Sequence, residues 1–226
     1  TPATSAWTYA HELGRLHLEQ TFPEEVTTEC YENLTRDLAE KAIADAIQKG
    51  CNIIFTTTPE FVQASVQAAI AHPEVKILNC SLNTSHRYIR TYYARMYEAK
   101  FLMGAIAGAM AENGQLAYIA DYPIFGTIAN INAFALGAKM VNPRAQIYLE
   151  WSTLKDVDLG IAMDNVIKKG VTVVSGQDMV IPEDASRYFG LYHIEKEGPR
   201  NLAMPLWHWG KFYEQLIRTI MDGTWK

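Results

Sequence analysis

QLAYIADYPIFGTIANINAFALGAKMVNP, Gln115 to Pro143, holds a whole strand, a loop and a helix in sequence and decides the fold class. Leu116–Ala120 is a short uncharged apolar run between Asn113-Gly114 and Asp121-Tyr-Pro123, the pattern of a strand buried on both faces. From Gly126 the period changes. Ile128, Ile131, Phe134, Ala135, Ala138 and Val141 recur at spacings of three and four until Asn142-Pro143 stops the run, so a helix is expected there. A loop leaving the carboxyl end of such a strand for a helix N-terminus is where open α/β sheets place ligands, because its backbone N–H groups point outward unpaired. Tyr122, Pro123 and Phe125 occupy that loop, and their types fit a shaped turn with a stapling ring as well as they fit a ligand contact.

Outward from this unit, strands and helices alternate. Toward the N-terminus, Ser5–Gln20 reads as a helix, Val26–Tyr31 as a strand, and Asn33 or Thr35 caps a helix ended by Gly50. Asn52–Phe55 is a strand, Pro59 opens the next helix, Val75–Cys80 is a strand and Ile89–Tyr93 a further one. Glu98–Ala111 is a helix in which Gly104 and Gly108 permit close packing, read here as packing on the sheet. Toward the C-terminus come strand Gln146–Glu150, helix Asp156–Lys168, strand Val171–Val174, strand Asn201–Trp207 and helix Gly210–Met221. Short uncharged strands alternating with helices imply parallel pairing through right-handed crossovers. The repeated order of basic helix end, glycine and strand at Gln48–Phe55 and Ile167–Val174 points to two similar α/β lobes. A chain that opens on a helix and ends just after one reads as a stretch of a longer polypeptide.

The composition narrows the function. At 226 residues, 49% hydrophobic and 20% charged, the chain can bury a core of one large or two small lobes. A net charge of −5 with no lysine or arginine cluster argues against nucleic acid as a partner. Phe101–Ala111 is too short and too glycine-containing for a membrane span, and residue 1 opens no signal peptide. Cys30, Cys51 and Cys80 are odd in number and read as free thiols rather than a disulfide framework.

Catalytic motifs do not assemble. His11 and His17 lie six apart, match no zinc spacing and read as surface histidines; no G-x-S-x-G, P-loop or G-x-G-x-x-G occurs, and no cofactor is implied. Asp121 and Asp178 follow strands, where a carboxylate serves as a general base, a helix cap or an acceptor for a ligand. Rings and small polar groups gather at the strand ends instead. Trp7, Thr8 and Tyr9 begin the first helix; Thr57, Thr58 and Phe61 follow the second strand; Tyr122 and Phe125, then Trp151 and Ser152, then Gln177 and Asp178 follow later ones. Such a set suits a flat, uncharged, heteroaromatic ligand that needs stacking faces and edge contacts.

Several stretches together resemble the basic membrane protein family of ABC-importer substrate-binding proteins. They are Trp7-Thr-Tyr-Ala-His-Glu-Leu-Gly-Arg15, Ile53-Ile-Phe-Thr-Thr57, Tyr97-Glu-Ala-Lys-Phe-Leu-Met-Gly-Ala-Ile-Ala-Gly108, Ile131-Asn-Ala-Phe-Ala-Leu-Gly-Ala-Lys139, Trp207-His-Trp-Gly-Lys-Phe-Tyr213 and Asp222-Gly-Thr-Trp-Lys226. The resemblance implies a periplasmic-binding-protein type I fold: two Rossmann-like lobes with parallel sheets and an inter-lobe cleft closing on a purine nucleoside or base. It implies lobes at 1–94 and 95–200, with 201–226 returning to the first lobe, whose opening strand is missing. Trp7, Phe61, Phe125 and Trp151 are placed near the cleft. The family's G-x-D-x-D ligand segment reads Gly190-Leu-Tyr-His-Ile194 here, so Tyr192 stands where an aspartate accepts ligand hydrogen bonds. An ABC permease partner, a lipid anchor and an extracytoplasmic location, without enzymatic activity, go with that family. The odd cysteines and the want of an anchor give a second reading, a cytoplasmic sensory domain of a larger protein. A nucleoside-processing enzyme is a third.

Overall fold

A computed structural model describes residues 2, 5–82, 86–121, 123, 125–153, 157–178 and 187–225, Phe125 by its backbone alone. The chain forms two compact units, Thr1–Ala94 with Trp207–Lys226, and Arg95–Leu206.

In the second unit the central strand behaves as its composition requires. β4 (Gln115–Ala120) sends Leu116, Tyr118 and Ala120 to one face and Ala117 and Ile119 to the other. The first set packs with Met103, Ala107, Phe134 and Ala138 of helices α4 (Met96–Met110) and α5 (Phe125–Val141). The second packs with Ala162, Met163 and Val166 of α6 (Leu159–Lys168). A strand with helices on both sides has no polar face, which is why its sequence shows no alternation. Five strands run in the order β5-β4-β6-β7-β8, where β5 is Gln146–Trp151, β6 Val173–Ser175, β7 Leu191–Glu195 and β8 Gly198–Ala203. β5, β4 and β6 are parallel; β7 and β8 are antiparallel, so the parallel expectation stops at β6. The last pair forms a hairpin through the two residues Lys196 and Glu197, a connection far too short for a crossover to a parallel strand. The expected strand at Asn201–Trp207 is therefore β8, which ends at Ala203.

Gly104 and Gly108 do not face the sheet as expected. A Cβ on Gly104 would stand 1.9 Å from the carbonyl oxygen of Phe134, one on Gly108 2.6 Å from that of Ala138, and one on Gly137 1.9 Å from that of Phe101. The glycines let two helix backbones touch, with α5 supplying the third of them.

In the first unit, β1 (Ile53–Thr56), β2 (Lys76–Cys80) and β3 (Arg90–Tyr92) form a parallel sheet in that order. Helices α2 (Arg36–Gln48) and α3 (Val62–Ala71) cover it through Ala39, Ile43, Ala64 and Ala69, packed on Ile77 and Ile89. Pro59 opens a 3₁₀ turn, Pro59–Phe61, rather than α3 itself. α1 (Ala6–Thr21) packs with α7 (Trp209–Met221), where Gly14 lies against Tyr213 and Gly210 against His17.

Val26–Tyr31 is not a strand. Among the described residues its backbone has no ladder partner, and side chains hold it: Arg15 donates to Thr28 Oγ1 at 2.6 Å, Lys49 to Glu29 at 3.3 Å, and Tyr31 to Asp45 at 2.7 Å. β-branched residues raise strand propensity, but an isolated segment gains no ladder hydrogen bonds from it.

Candidate functional site

Ser5 caps α1, its Oγ accepting from the Thr8 N–H at 3.2 Å and from the Thr8 hydroxyl at 3.1 Å. Thr8 thus serves the helix end, and Tyr9 beside it is half-buried. The cap aims Trp7 at the end of β1, where the indole Nε1 donates to the Thr57 carbonyl at 2.8 Å. Thr58 caps the 3₁₀ turn, and its carbonyl accepts from Asn79 Nδ2 at 2.8 Å. The same amide donates to Thr56 Oγ1 at 2.7 Å. The loop after β1 is pinned at two successive carbonyls, from α1 and from β2.

Trp7 belongs to a ring cluster. It meets His11, Trp207 and Trp209 edge to face at centroid distances of 4.9, 5.4 and 5.8 Å, and lies nearly parallel to Tyr93 at 6.2 Å. Trp207 stacks on Trp209 at 5.2 Å with 6° between planes. Trp209, Tyr92 and Tyr213 are buried, while Trp7 and Trp207 are half-buried and Tyr93 is exposed. The cluster therefore has a sealed floor and an open aromatic rim.

His11 is no surface histidine. It is buried, stacked on Trp209 at 4.8 Å, with Nδ1 2.6 Å from the Tyr213 hydroxyl, which lies 3.0 Å from that of Tyr92. Burial pulls its imidazole down to about 3, so it is neutral at physiological pH. Burial likewise raises the phenols of Tyr92 and Tyr213 and pushes the Cys80 thiol up to about 12. The floor carries polar atoms without charge. His17 is half-buried against Glu214 at 2.8 Å. That carboxyl sits down at about 2 through its bonds to His17, Lys211 and Arg218.

Phe61 is not part of this rim; it packs onto the core under α2 and α3. A hollow of about 330 Å³ near it is walled by Arg36, Asp37, Glu40, Glu60 and Gln63, a mixed-charge surface with no ring.

In the second unit, Trp151 at the end of β5 packs onto the core beneath α4 and α5. Asp121 follows β4; its carbonyl accepts from Thr153 Oγ1 at 2.5 Å and its carboxylate from Thr127 Oγ1 at 3.4 Å. Tyr122 and the Phe125 side chain lie outside the described residues. Gln177 is exposed. Asp178, after β6, is met by Lys100 of α4, whose ammonium also donates to Ser175 Oγ at 3.4 Å and lies 5.1 Å from the Tyr118 ring centre. Burial raises the Asp178 carboxyl against the pull of Lys100.

Tyr192 is corrected by the structure. It sits in β7 opposite Val174, fully buried, its hydroxyl donating to Met163 Sδ at 3.2 Å. A side chain sealed between sheet and α6 meets no solute, so the tyrosine in place of the expected aspartate serves the core.

The ring cluster and Lys100 carry no sequence motif, though spacing holds both. Trp7 and His11 are i,i+4 on α1, as are Trp209 and Tyr213 on α7, and each pair shares a face. Lys100 falls on the buried stripe Met96, Met103, Ala107 of α4, where a charge needs a partner. Among the described residues no group of histidines, cysteines and carboxylates could hold a metal ion, and no helix is long and apolar enough to cross a membrane.

The family model described as "ABC transporter substrate-binding protein PnrA-like" matches residues 3–183. A purine-binding protein of Brucella abortus is 28% identical over 239 residues, covering 100% of this chain and 67% of the relative. A Haloferax volcanii protein provisionally named as an ABC transporter glucose-binding protein is 25% identical, covering 97% of this chain and 59% of the relative. The chain thus spans about three fifths to two thirds of these relatives. An ABC transporter solute-binding protein of Conexibacter woesei shares the fold with a TM-score of 0.80 at 14% identity, over 100% of this chain and 79% of that one.

Proposed function

Because this chain belongs to the Bmp family of PnrA-like ABC transporter substrate-binding proteins, we propose that it is the solute receptor for a purine nucleoside or base and transforms nothing. One observation carries the ligand class: the aromatic rim of Trp7, Tyr93 and Trp207, standing on a floor whose histidine is neutral. Uncharged stacking faces suit a flat, uncharged ring. The name of the Brucella relative supports the same choice.

In this reading Trp7 stacks on the ligand, and Thr57, Thr58, Thr8 and Tyr9 border it in the first unit; the second unit offers its own contacts, Asp121, Gln177 and Asp178 at strand ends. Phe61 and Trp151 act by supporting those loops from the cores beneath them. Delivery to an ABC permease from an extracytoplasmic, lipid-anchored position completes the proposal.

Calorimetry with adenosine, guanosine and adenine tests it. Trp7→Ala should weaken binding by about 1–3 kcal/mol, the worth of one stacked base. Unchanged affinity removes Trp7 from the site. A sugar is the second reading, favoured by the name of the Haloferax relative, and glucose in the same panel decides between them.

A further inference from the structure

Lys100 and Asp178 form an ion pair of unequal exposure. The lysine side chain is 1% exposed and the aspartate 23%. The cation reaches the pair from α4, inside the unit, while the anion stands just past β6 at the carboxyl edge of the sheet. Sealing an ammonium in an apolar interior costs several kcal/mol unless a counter-ion and hydrogen bonds meet it, and Asp178, Ser175 and the face of Tyr118 do so here. An aspartate left partly in water keeps some of its hydration and stays within reach of a solute.

We infer that Lys100 is a positioning residue that fixes Asp178 as a carboxylate acceptor toward the ligand, and that the pair selects uncharged ligands with N–H or O–H donors over cations. The inference rests on the reading of Asp178 as a ligand contact. Its physical content is that the pair is net neutral. Lys100 cancels the charge that would draw a cation, yet one ammonium does not saturate a carboxylate with about four lone-pair sites.

Among the described residues the other ionisable groups facing Asp178 are Tyr118 from β4, whose phenol is held neutral by burial, and Asp121 after β4, whose negative charge opposes a second one nearby. Without Lys100 both burial and Asp121 push the Asp178 proton on, so the acceptor would vanish as pH falls.

Calorimetry on the whole chain at pH 6 and pH 8 tests this with two matched pairs, adenosine against 1-methyladenosine and glucose against glucosamine, the second member of each being cationic at pH 6. For the wild type the neutral member should bind about tenfold or more tightly than the cation at pH 6, and its own affinity should change little between the two pH values. Lys100→Met should bind the neutral ligands about tenfold more weakly at pH 6 than at pH 8, because burial and Asp121 then raise the Asp178 carboxyl unopposed. Lys100→Arg should restore the flat profile, and Lys100→Met added to Asp178→Asn should cost no further affinity. If Lys100→Met lowers the melting temperature but leaves affinity flat with pH, the lysine is structural and the inference falls while the purine reading stands. If glucose binds and adenosine does not, with the same Lys100→Met signature, the purine reading falls and the inference stands. Preference for the cation, or no binding of either neutral compound, overturns it. The wild-type comparison decides even if Lys100→Met does not fold.

Discussion

Among the described residues each unit seals one basic side chain in its interior, and the two interiors meet it in opposite ways. His11, among Trp7, Trp209 and Tyr213, meets aromatic rings and a phenol, and gives up its charge. Lys100 instead meets the carboxylate of Asp178 in an ion pair. The difference lies in ordinary proton affinity. A histidine that normally titrates near neutrality is neutralised at modest cost, whereas a lysine that titrates near 10 costs less to pair than to deprotonate. One unit presents rings without charge, the other a carboxylate whose charge is balanced from inside.

Three measurements would break or sharpen this contrast. The largest effect belongs to Lys100→Met, expected to destabilise the second unit by roughly 3 kcal/mol because a partly open carboxylate loses its charged hydrogen-bond partner. Urea denaturation followed by circular dichroism should show most of that loss recovered in the double variant with Asp178→Asn. A double variant as unstable as the single one would mean that the aspartate is not what Lys100 serves.

Next in size is the response of His11 to acid. The unfolded chain takes up a proton below the ordinary value of 6.5, but the folded one not until about 3. The unfolded state therefore binds more protons across that window, and stability falls as pH drops through it. Between pH 7 and pH 5 the first unit should lose about 2 kcal/mol, from 1.36 kcal/mol per pH unit below 6.5. Tryptophan fluorescence reads this well, since Trp7, Trp207, Trp209 and Trp225 all lie in that unit. His11→Phe should flatten this part of the profile. An unchanged slope would place the titration elsewhere.

The smallest effect is expected from Tyr213→Phe. Removing a hydroxyl that bonds both His11 and Tyr92 should cost about 1 kcal/mol by thermal or urea unfolding. It should also soften the acid response at its low-pH end, because a neutral imidazole that loses its partner takes up a proton more readily in the folded state. A variant of wild-type stability would show that the three-residue chain contributes packing only.

Legibility in the sequence follows how local the controlling interaction is. β4 and α5 read out correctly because a both-faces-buried strand and a proline-stopped amphipathic run are properties of consecutive residues. Val26–Tyr31 misread because a strand also needs a neighbour, which its own residues do not specify. β7 was hidden inside a segment read for ligand contacts, although Leu191 and Tyr192 send one side chain to each face of the sheet. Gly104 and Gly108 announced a close approach, but the complementary Gly137 on another helix decided its direction. At the candidate site, Trp7, Thr57 and Asp178 were legible as types at strand and helix ends. Lys100 and His11 were legible only as anomalies of position, polar groups on apolar stripes whose partners are distant in sequence.

The bond from Trp7 to the Thr57 carbonyl has a consequence for discrimination among solutes. An indole owns one directional group, and here it is already engaged with the main chain. What remains is a flat electron-rich surface, able to grip any planar guest and unable to tell one heterocycle's rim from another's. A lineage could exchange its cargo while keeping this tryptophan, by altering only the side chains that still have lone pairs or protons to offer.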